Sequence, residues 1–100
     1  MANRLEYSRK AILDLSNIWD YTSETWSELR ADKYYQMLLN HCQDLAKGRI
    51  IGKAYVEVFI DLYGSVAGEH IVFYRFTDKN VLEIVRILHS RMDLRNRIEE

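Results

Sequence analysis

The sequence contains no proline, and among its 100 residues it has a single cysteine. One thiol, Cys42, can form neither an internal disulfide nor a CxxC metal site. No apolar run approaches the roughly 20 residues that a membrane-spanning helix needs. Residues 1–10 are polar and lack the apolar core of a secretion signal. These absences predict a cytoplasmic protein without membrane contact.

Sequence signals for cofactors and metals are also missing. The four glycines match neither the GxGxxG nor the GxxxxGK[ST] nucleotide fingerprint. His41, His70 and His89 lack the spacing of metal ligands. We therefore expect no cofactor and no metal. The formal net charge of -1 argues against a protein that coats nucleic acid through bulk positive charge.

The first half of the chain has the apolar periodicity of two helices. After a short predicted strand at residues 4–7, Ser8 can cap a first helix, and Ser27 can cap a second that ends near Gly48. The first apolar stripe has spacings of three and four: Ala11, Ile12, Leu15, Ile18, Trp19, Thr22 and Trp26. This stripe predicts that Trp19 and Trp26 pack in the core. The short connection predicts an antiparallel helical hairpin.

After Gly52 the apolar period changes from 3.6 to 2. Residues 55–63 alternate as a half-buried strand, and residues 64–69, which carry two glycines, are expected to form a turn. Residues 70–76 and 81–88 are two β-branched runs around a polar turn, as in an antiparallel hairpin. The prediction is one domain over residues 1–100 with an α+β fold. Its order is β-α-α-β-β-β, with the helical hairpin on one face of a small antiparallel sheet and a flexible tail at residues 94–100. The tail can include a frayed turn of helix.

Charged residues within and after the last two strands form the candidate site. His89, Arg91 and Asp93 occupy every second position. If the last strand continues as far as Asp93, the three side chains point to the same side, and a base, a cation and an acid then share one patch. Composition favours the alternative of solvated charges at a strand end. Arg75 and Arg86 interrupt apolar runs, where arginine needs a partner. They can bind a phosphate or carboxylate group of a partner, or each can form an ion pair with an acidic residue on a helix. The ion-pair interpretation is slightly favoured.

Several segments together resemble a known family. They are Asp14-Leu15 and residues 18–22 in the first helix, Phe73-Tyr74-Arg75, and residues 86–93 with the letters RILH and RMD. In order and spacing they resemble ParE toxins of the RelE/ParE superfamily. The resemblance implies a type II toxin that inhibits DNA gyrase, performs no chemistry itself and is neutralised by a ParD-like antitoxin. Nucleic acid is then contacted only indirectly, through the gyrase–DNA complex.

On this interpretation, two surfaces are predicted. The target surface comprises Arg75, Arg86, His89, Arg91 and Asp93. The antitoxin surface comprises Tyr21, Tyr35, Tyr74, Arg75 and Arg86. No catalytic residue is expected.

Two alternatives remain open. The RelE branch consists of ribosome-dependent mRNA endoribonucleases, which need a basic cluster and a late tyrosine or similar acid/base group. This sequence has no tyrosine after Tyr74, although His89 and Arg91 keep that function open. The other alternative is an inactive member that binds only its antitoxin.

Overall fold

In the computed structural model, the described residues are 2, 4–78 and 80–99. Over these residues the chain forms strand β1 (Arg4–Tyr7), helices α1 (Arg9–Thr25) and α2 (Glu28–Ala46), strands β2 (Lys53–Ala54), β3 (Tyr63–Ala67), β4 (His70–Asp78) and β5 (Val81–His89), and helix α3 (Leu94–Glu99). Lys79, in the predicted turn, and Glu100, in the predicted tail, lie outside the described residues.

Both helix starts occur where the serines predict them. The Ser8 hydroxyl accepts a hydrogen bond from the Ala11 N–H at 3.0 Å, and it donates one to the Val85 carbonyl at 2.7 Å. The Ser27 hydroxyl accepts from the Arg30 N–H at 3.1 Å. Each serine thus satisfies a donor that the first helical turn leaves without a partner. Ser8 also fixes the start of α1 to β5, which later positions the α1 side chains over that strand.

The described strands form one sheet in the order β1-β5-β4-β3-β2. The α+β class and the helical hairpin are confirmed, but the sheet is mixed rather than wholly antiparallel. β1 pairs with β5 in parallel, with Arg4 opposite Val81 and Tyr7 opposite Ile84. A parallel neighbour requires a long crossover connection. Here the two helices lie in the chain between β1 and the remaining strands and make that crossover possible.

The predicted strand at residues 55–63 is wrong. Residues 55–62 form a turn-rich loop, and only Tyr63 belongs to a strand, β3. In the loop the Tyr55 N–H donates to the Leu62 carbonyl at 2.8 Å and the Val58 N–H donates to the Tyr55 carbonyl at 2.9 Å. Tyr55, Val58 and Leu62 are buried, whereas Val56 and Ile60 are exposed. Apolar alternation does not distinguish a strand from a loop that buries every third or fourth residue.

The predicted turn at residues 64–69 is largely strand. β3 occupies the position beside β4 that residues 55–63 were expected to fill, with Gly64 opposite Phe73. A β-carbon at Gly64 would lie 2.6 Å from the Tyr55 ring. This glycine therefore allows the loop to cover the strand, and it is not a turn signal. The actual β3–β4 turn is at Gly68, where φ is 61°.

The sheet has an apolar cluster on each face. The helical hairpin covers the larger one, which includes Leu15, Leu38, Leu82 and Ile84. The loop at residues 55–62 and α3 cover the other, where Leu94 and Ile98 pack against a cluster that includes Phe73 and Leu88. Residues 94–99 are thus helical, where a tail was expected; their flexibility stays a prediction.

The two tryptophans lie further from the core than the apolar stripe predicts. Trp26 is 64% exposed, and the guanidinium of Arg30 lies 4.5 Å from the centre of its ring. Trp19 is half-buried and donates its indole N–H to Asp32 at 2.9 Å. Trp26 is the C-cap of α1, where the helix ends, and Trp19 packs towards α2 through Asp32.

Candidate functional site

A cavity of about 530 Å³ opens between α1, the end of β5 and the segment that leads into α3. Its lining combines apolar side chains with histidines and arginines. The lining residues are Asp14, Asn17, Ile18, Tyr21, His70, Arg86, Ile87, Leu88, His89, Arg91, Met92 and Arg97. A recess of this size and mixed composition is typical of a binding site.

A buried ion pair forms the inner wall of the cavity. The Arg86 guanidinium donates to both carboxylate oxygens of Asp14, at 2.8 and 3.0 Å. The Asp14 carboxylate also accepts the Ile87 N–H at 2.9 Å. Arg86 further donates to the Arg97 carbonyl at 2.5 Å. The two charged side chains are only about 10% exposed, so this arrangement links α1, β5 and α3 by bidentate, desolvated bonds.

The pair decides between the two interpretations of Arg86. Its partner is an acid on the first helix, as the pairing interpretation predicted. Arg75 also pairs, but its partner, Glu83 at 2.8 Å, is on the neighbouring strand β5 and not on a helix.

A hydrogen-bonded chain fixes His70 on the opposite wall. The Tyr34 hydroxyl accepts the Glu69 N–H at 3.0 Å and lies 2.6 Å from Nδ1 of His70. Which of these two groups donates depends on the tautomer of the His70 ring. Burial and the neighbouring His89 lower the pKa of His70 to about 4, against smaller raising effects of Glu69 and Asp14. His70 is thus neutral at pH 7.

His89 ends β5 and meets His70 across the sheet. The two rings lie 5.4 Å apart, edge to face. Nδ1 of His89 accepts the Arg91 N–H at 3.1 Å, and its Nε2 lies 3.9 Å from the Glu69 carboxylate. The strand stops at His89. The strand therefore does not continue to Asp93, which was the condition for His89, Arg91 and Asp93 to face one way, because the chain turns after His89 and then enters α3.

The cavity brings together four of the residues predicted from sequence: Tyr21, Arg86, His89 and Arg91. Asp93 lies outside it, just before α3, and its carboxylate accepts the Asn96 side-chain N–H at 2.7 Å. Arg75 lines a separate recess of about 240 Å³ next to Phe59 and Ile98. Binding of the target by these residues stays a prediction.

The remaining predicted antitoxin contacts lie on other surfaces. Tyr35 lines a groove between α1 and α2, together with Trp19 and Asp32. Tyr74 is 4% exposed, and its hydroxyl accepts the Gly52 N–H at 2.9 Å. The predicted antitoxin residues are therefore distributed over at least three parts of the surface and core, and their role stays a prediction.

Neither Tyr34 nor His70 is among the site residues predicted from sequence. Tyr34 falls on an apolar helical stripe, which indicates packing and not a hydrogen bond to a histidine 36 residues away. A signal existed for His70: it and His89 are at the outer ends of the predicted hairpin, and the structure pairs them directly.

Among the described residues, no three histidine, cysteine, aspartate or glutamate side chains form a group that could hold a metal ion. In the same part of the chain, no helix is long and apolar enough to cross a membrane.

Comparison with known proteins assigns the chain to a family. The family model described as "ParE toxin of type II toxin-antitoxin system, parDE" matches residues 5–94. The chain belongs to the ParE toxin family. It is thus the toxin component of a type II ParDE toxin–antitoxin system, and the resemblance noted in the sequence is confirmed.

Relatives of this ParE toxin match over nearly the whole chain. "Toxin ParE1" of Mycobacterium tuberculosis is 34% identical over 94 residues, covering 94% of this chain and 96% of the relative. "Toxin ParE1" of Caulobacter vibrioides is 31% identical over 88 residues, covering 88% and 90%. A solved structure titled "Chromosomal ParDE TA system from P. aeruginosa" covers 86% of this chain and 94% of that one, with a TM-score of 0.73 and 19% identity. At that identity it supports the fold only.

Proposed function

We propose that this toxin inhibits DNA gyrase in the cytoplasm and that a ParD-like antitoxin encoded beside it neutralises it. The match to the ParE family along residues 5–94 carries the proposal, because resemblance to that family implies gyrase inhibition. The cavity residues His89 and Arg91 are the proposed target contacts. His89 ends β5, Arg91 follows it in the turn, and two further arginines, Arg86 and Arg97, also line the cavity. This surface suits an enzyme that holds DNA.

We further propose that the toxin acts by binding and not by catalysis. Three features of the cavity support this. Arg86 is committed to Asp14, so it is poorly placed to stabilise a phosphorane. His70, with its pKa lowered to about 4, is a weak base at neutral pH. No tyrosine follows Tyr74 to provide the acid/base group of the RelE branch.

The experiment adds purified toxin to gyrase and relaxed plasmid, and measures supercoiling and linearised DNA. Wild-type toxin is expected to block supercoiling and accumulate cleaved plasmid. Arg91→Ala is expected to weaken inhibition about tenfold or more, as removal of a charged contact does. The matched control is Arg9→Ala, which removes an exposed arginine at the start of α1 that does not line the cavity. It should inhibit like the wild type.

A parallel reaction with translating ribosomes tests the endoribonuclease alternative. Site-specific cuts in ribosome-bound mRNA that disappear in His89→Ala would refute the gyrase proposal in favour of RNA cleavage. Inhibition of neither system, with tight antitoxin binding retained, would indicate an inactive member.

A further inference from the structure

Among the described residues, the edge of the sheet at β1 has no neighbouring strand. β1 is the first strand in the sheet order and pairs with β5 alone. The N–H groups of Arg4 and Ser8 donate to carbonyls within and just before β5, at 2.8 and 2.9 Å. Because backbone groups alternate in direction along a strand, the N–H and C=O groups of Leu5 and Tyr7 point away from β5. This edge can therefore pair with a further strand.

The two side chains that flank Leu5 on this edge have opposite charges. Arg4 and Glu6 lie on the same face of the strand, are 70% and 42% exposed, and contact each other. An exposed ion pair of this kind adds little stability, so exchanging it for another pair costs little. A row of like charges would repel a second copy of the chain. One positive and one negative charge around a central leucine are instead complementary to the same edge of a second copy.

We propose that two copies of this toxin pair through β1, antiparallel to each other about a two-fold axis at Leu5. Leu5 of each copy then lies opposite Leu5 of the other, and their N–H and C=O groups form two hydrogen bonds across the axis. Arg4 of each copy lies opposite Glu6 of the other, so two cross-strand ion pairs replace the contacts within the strands. The two sheets become one continuous sheet. The inference goes beyond the proposed function and does not depend on it.

The side chains of β1 select this register over its neighbours. With the axis at Glu6, the Glu6 side chains of the two copies would lie opposite each other, and like charges in that position are destabilising. A slip of one residue would bring Leu5 of one copy opposite Glu6 of the other and mix the two faces. With the axis at Leu5, the leucines meet on the face that the helical hairpin covers, and the charged side chains meet on the other face.

The pairing uses no residue of the cavity and is expected to be weak. β1 lies beside residues 81–84 of β5, whereas the β5 residues that line the cavity begin at Arg86. With four residues, β1 offers a small contact, of the size that transient complexes bury. Free toxin should therefore be a monomer at about 1 µM and increasingly a dimer towards about 1 mM.

The test is sedimentation velocity of the purified full chain over that range of concentrations. Glu6→Arg makes the edge wholly positive and should weaken dimerisation about tenfold or more, because both cross-strand ion pairs become repulsive. Exchange of the two residues, Arg4→Glu together with Glu6→Arg, recreates the complementary edge and should restore the wild-type dissociation constant. The matched control is Glu24→Arg, which makes the same charge change at an exposed position of α1. It should dimerise as the wild type does.

Two further measurements assign the contact to β1. An equimolar mixture of the Arg4→Glu and Glu6→Arg toxins should form a mixed dimer at concentrations where each variant alone is a monomer. In wild-type toxin, the Leu5 amide should exchange with solvent more slowly as the concentration rises. A toxin that remains a monomer up to about 1 mM contradicts the proposal. So does a dimer that Glu6→Arg weakens no more than Glu24→Arg does, or one that the two-residue exchange fails to restore.

Discussion

The Asp14–Arg86 pair makes a quantitative prediction about stability. Asp14→Ala leaves a guanidinium that is only about 10% exposed without its carboxylate, and it deprives the Ile87 N–H of its acceptor. Removing one partner of a buried pair costs about 3–5 kcal/mol. A domain of this size has about 5–15 kcal/mol of total stability. The variant should therefore fold at 25 °C but with a large part of its stability lost.

The assay is urea unfolding followed by circular dichroism. With a denaturant dependence of about 1.5 kcal/mol per molar urea, a loss of 3 kcal/mol lowers the midpoint by about 2 M. Asp20→Ala is the matched control, because it removes an exposed carboxylate from the same helix. It should change the free energy of unfolding by no more than about 0.5 kcal/mol.

A double-mutant cycle separates the ion pair from the helix itself. In an Arg86→Met background, Asp14→Ala should cost only about 1–2 kcal/mol, because only the Ile87 N–H then loses a partner. The coupling energy should therefore be about 2–3 kcal/mol. If Asp14→Ala costs no more than Asp20→Ala, or if the coupling is near zero, the pair does not hold α1 on β5 and the reasoning from its burial fails.

Two further predictions concern the remaining walls of the cavity. The pKa of His70 is lowered from 6.5 to about 4, so as the pH decreases the unfolded state binds a proton before the folded state does. The free energy of unfolding should therefore fall by up to about 2 kcal/mol, after allowance for screening, between pH 6.5 and pH 4. His70→Gln should flatten that part of the measured stability–pH curve, and an unchanged slope would contradict the assignment. Removal of residues 93–100 should lower the free energy of unfolding by about 2–4 kcal/mol and increase binding of an apolar dye, because Leu94 and Ile98 no longer cover Phe73 and Leu88; an unchanged urea midpoint would show that α3 contributes no stability.

Local signals in the sequence were sufficient for α1, α2 and the last strand hairpin. Ser8 and Ser27 each have a side chain that can cap a helix, and the apolar stripes have the helical period. The runs in β4 and β5 are β-branched and flank a polar turn. Capping, periodicity and turn chemistry act over a few residues, so they can be recognised without knowledge of the rest of the fold.

The strand order, the loop and the cavity were determined by tertiary structure. Residues 55–63 have the alternation of a strand, yet residues 55–62 fold as a loop. Residues 63–67 take the place beside β4, and Tyr55, Val58 and Leu62 cover the second face of the sheet. Likewise, no local pattern links Tyr34 to His70 or Asp14 to Arg86. These partners are 36 and 72 residues apart. The sequence by itself thus determined the two helices of the helical hairpin, the last strand hairpin and the family, because these depend on short-range order and on motif spacing. Only the packing of the hairpin and α3 against the sheet decided which charges pair and which face the cavity.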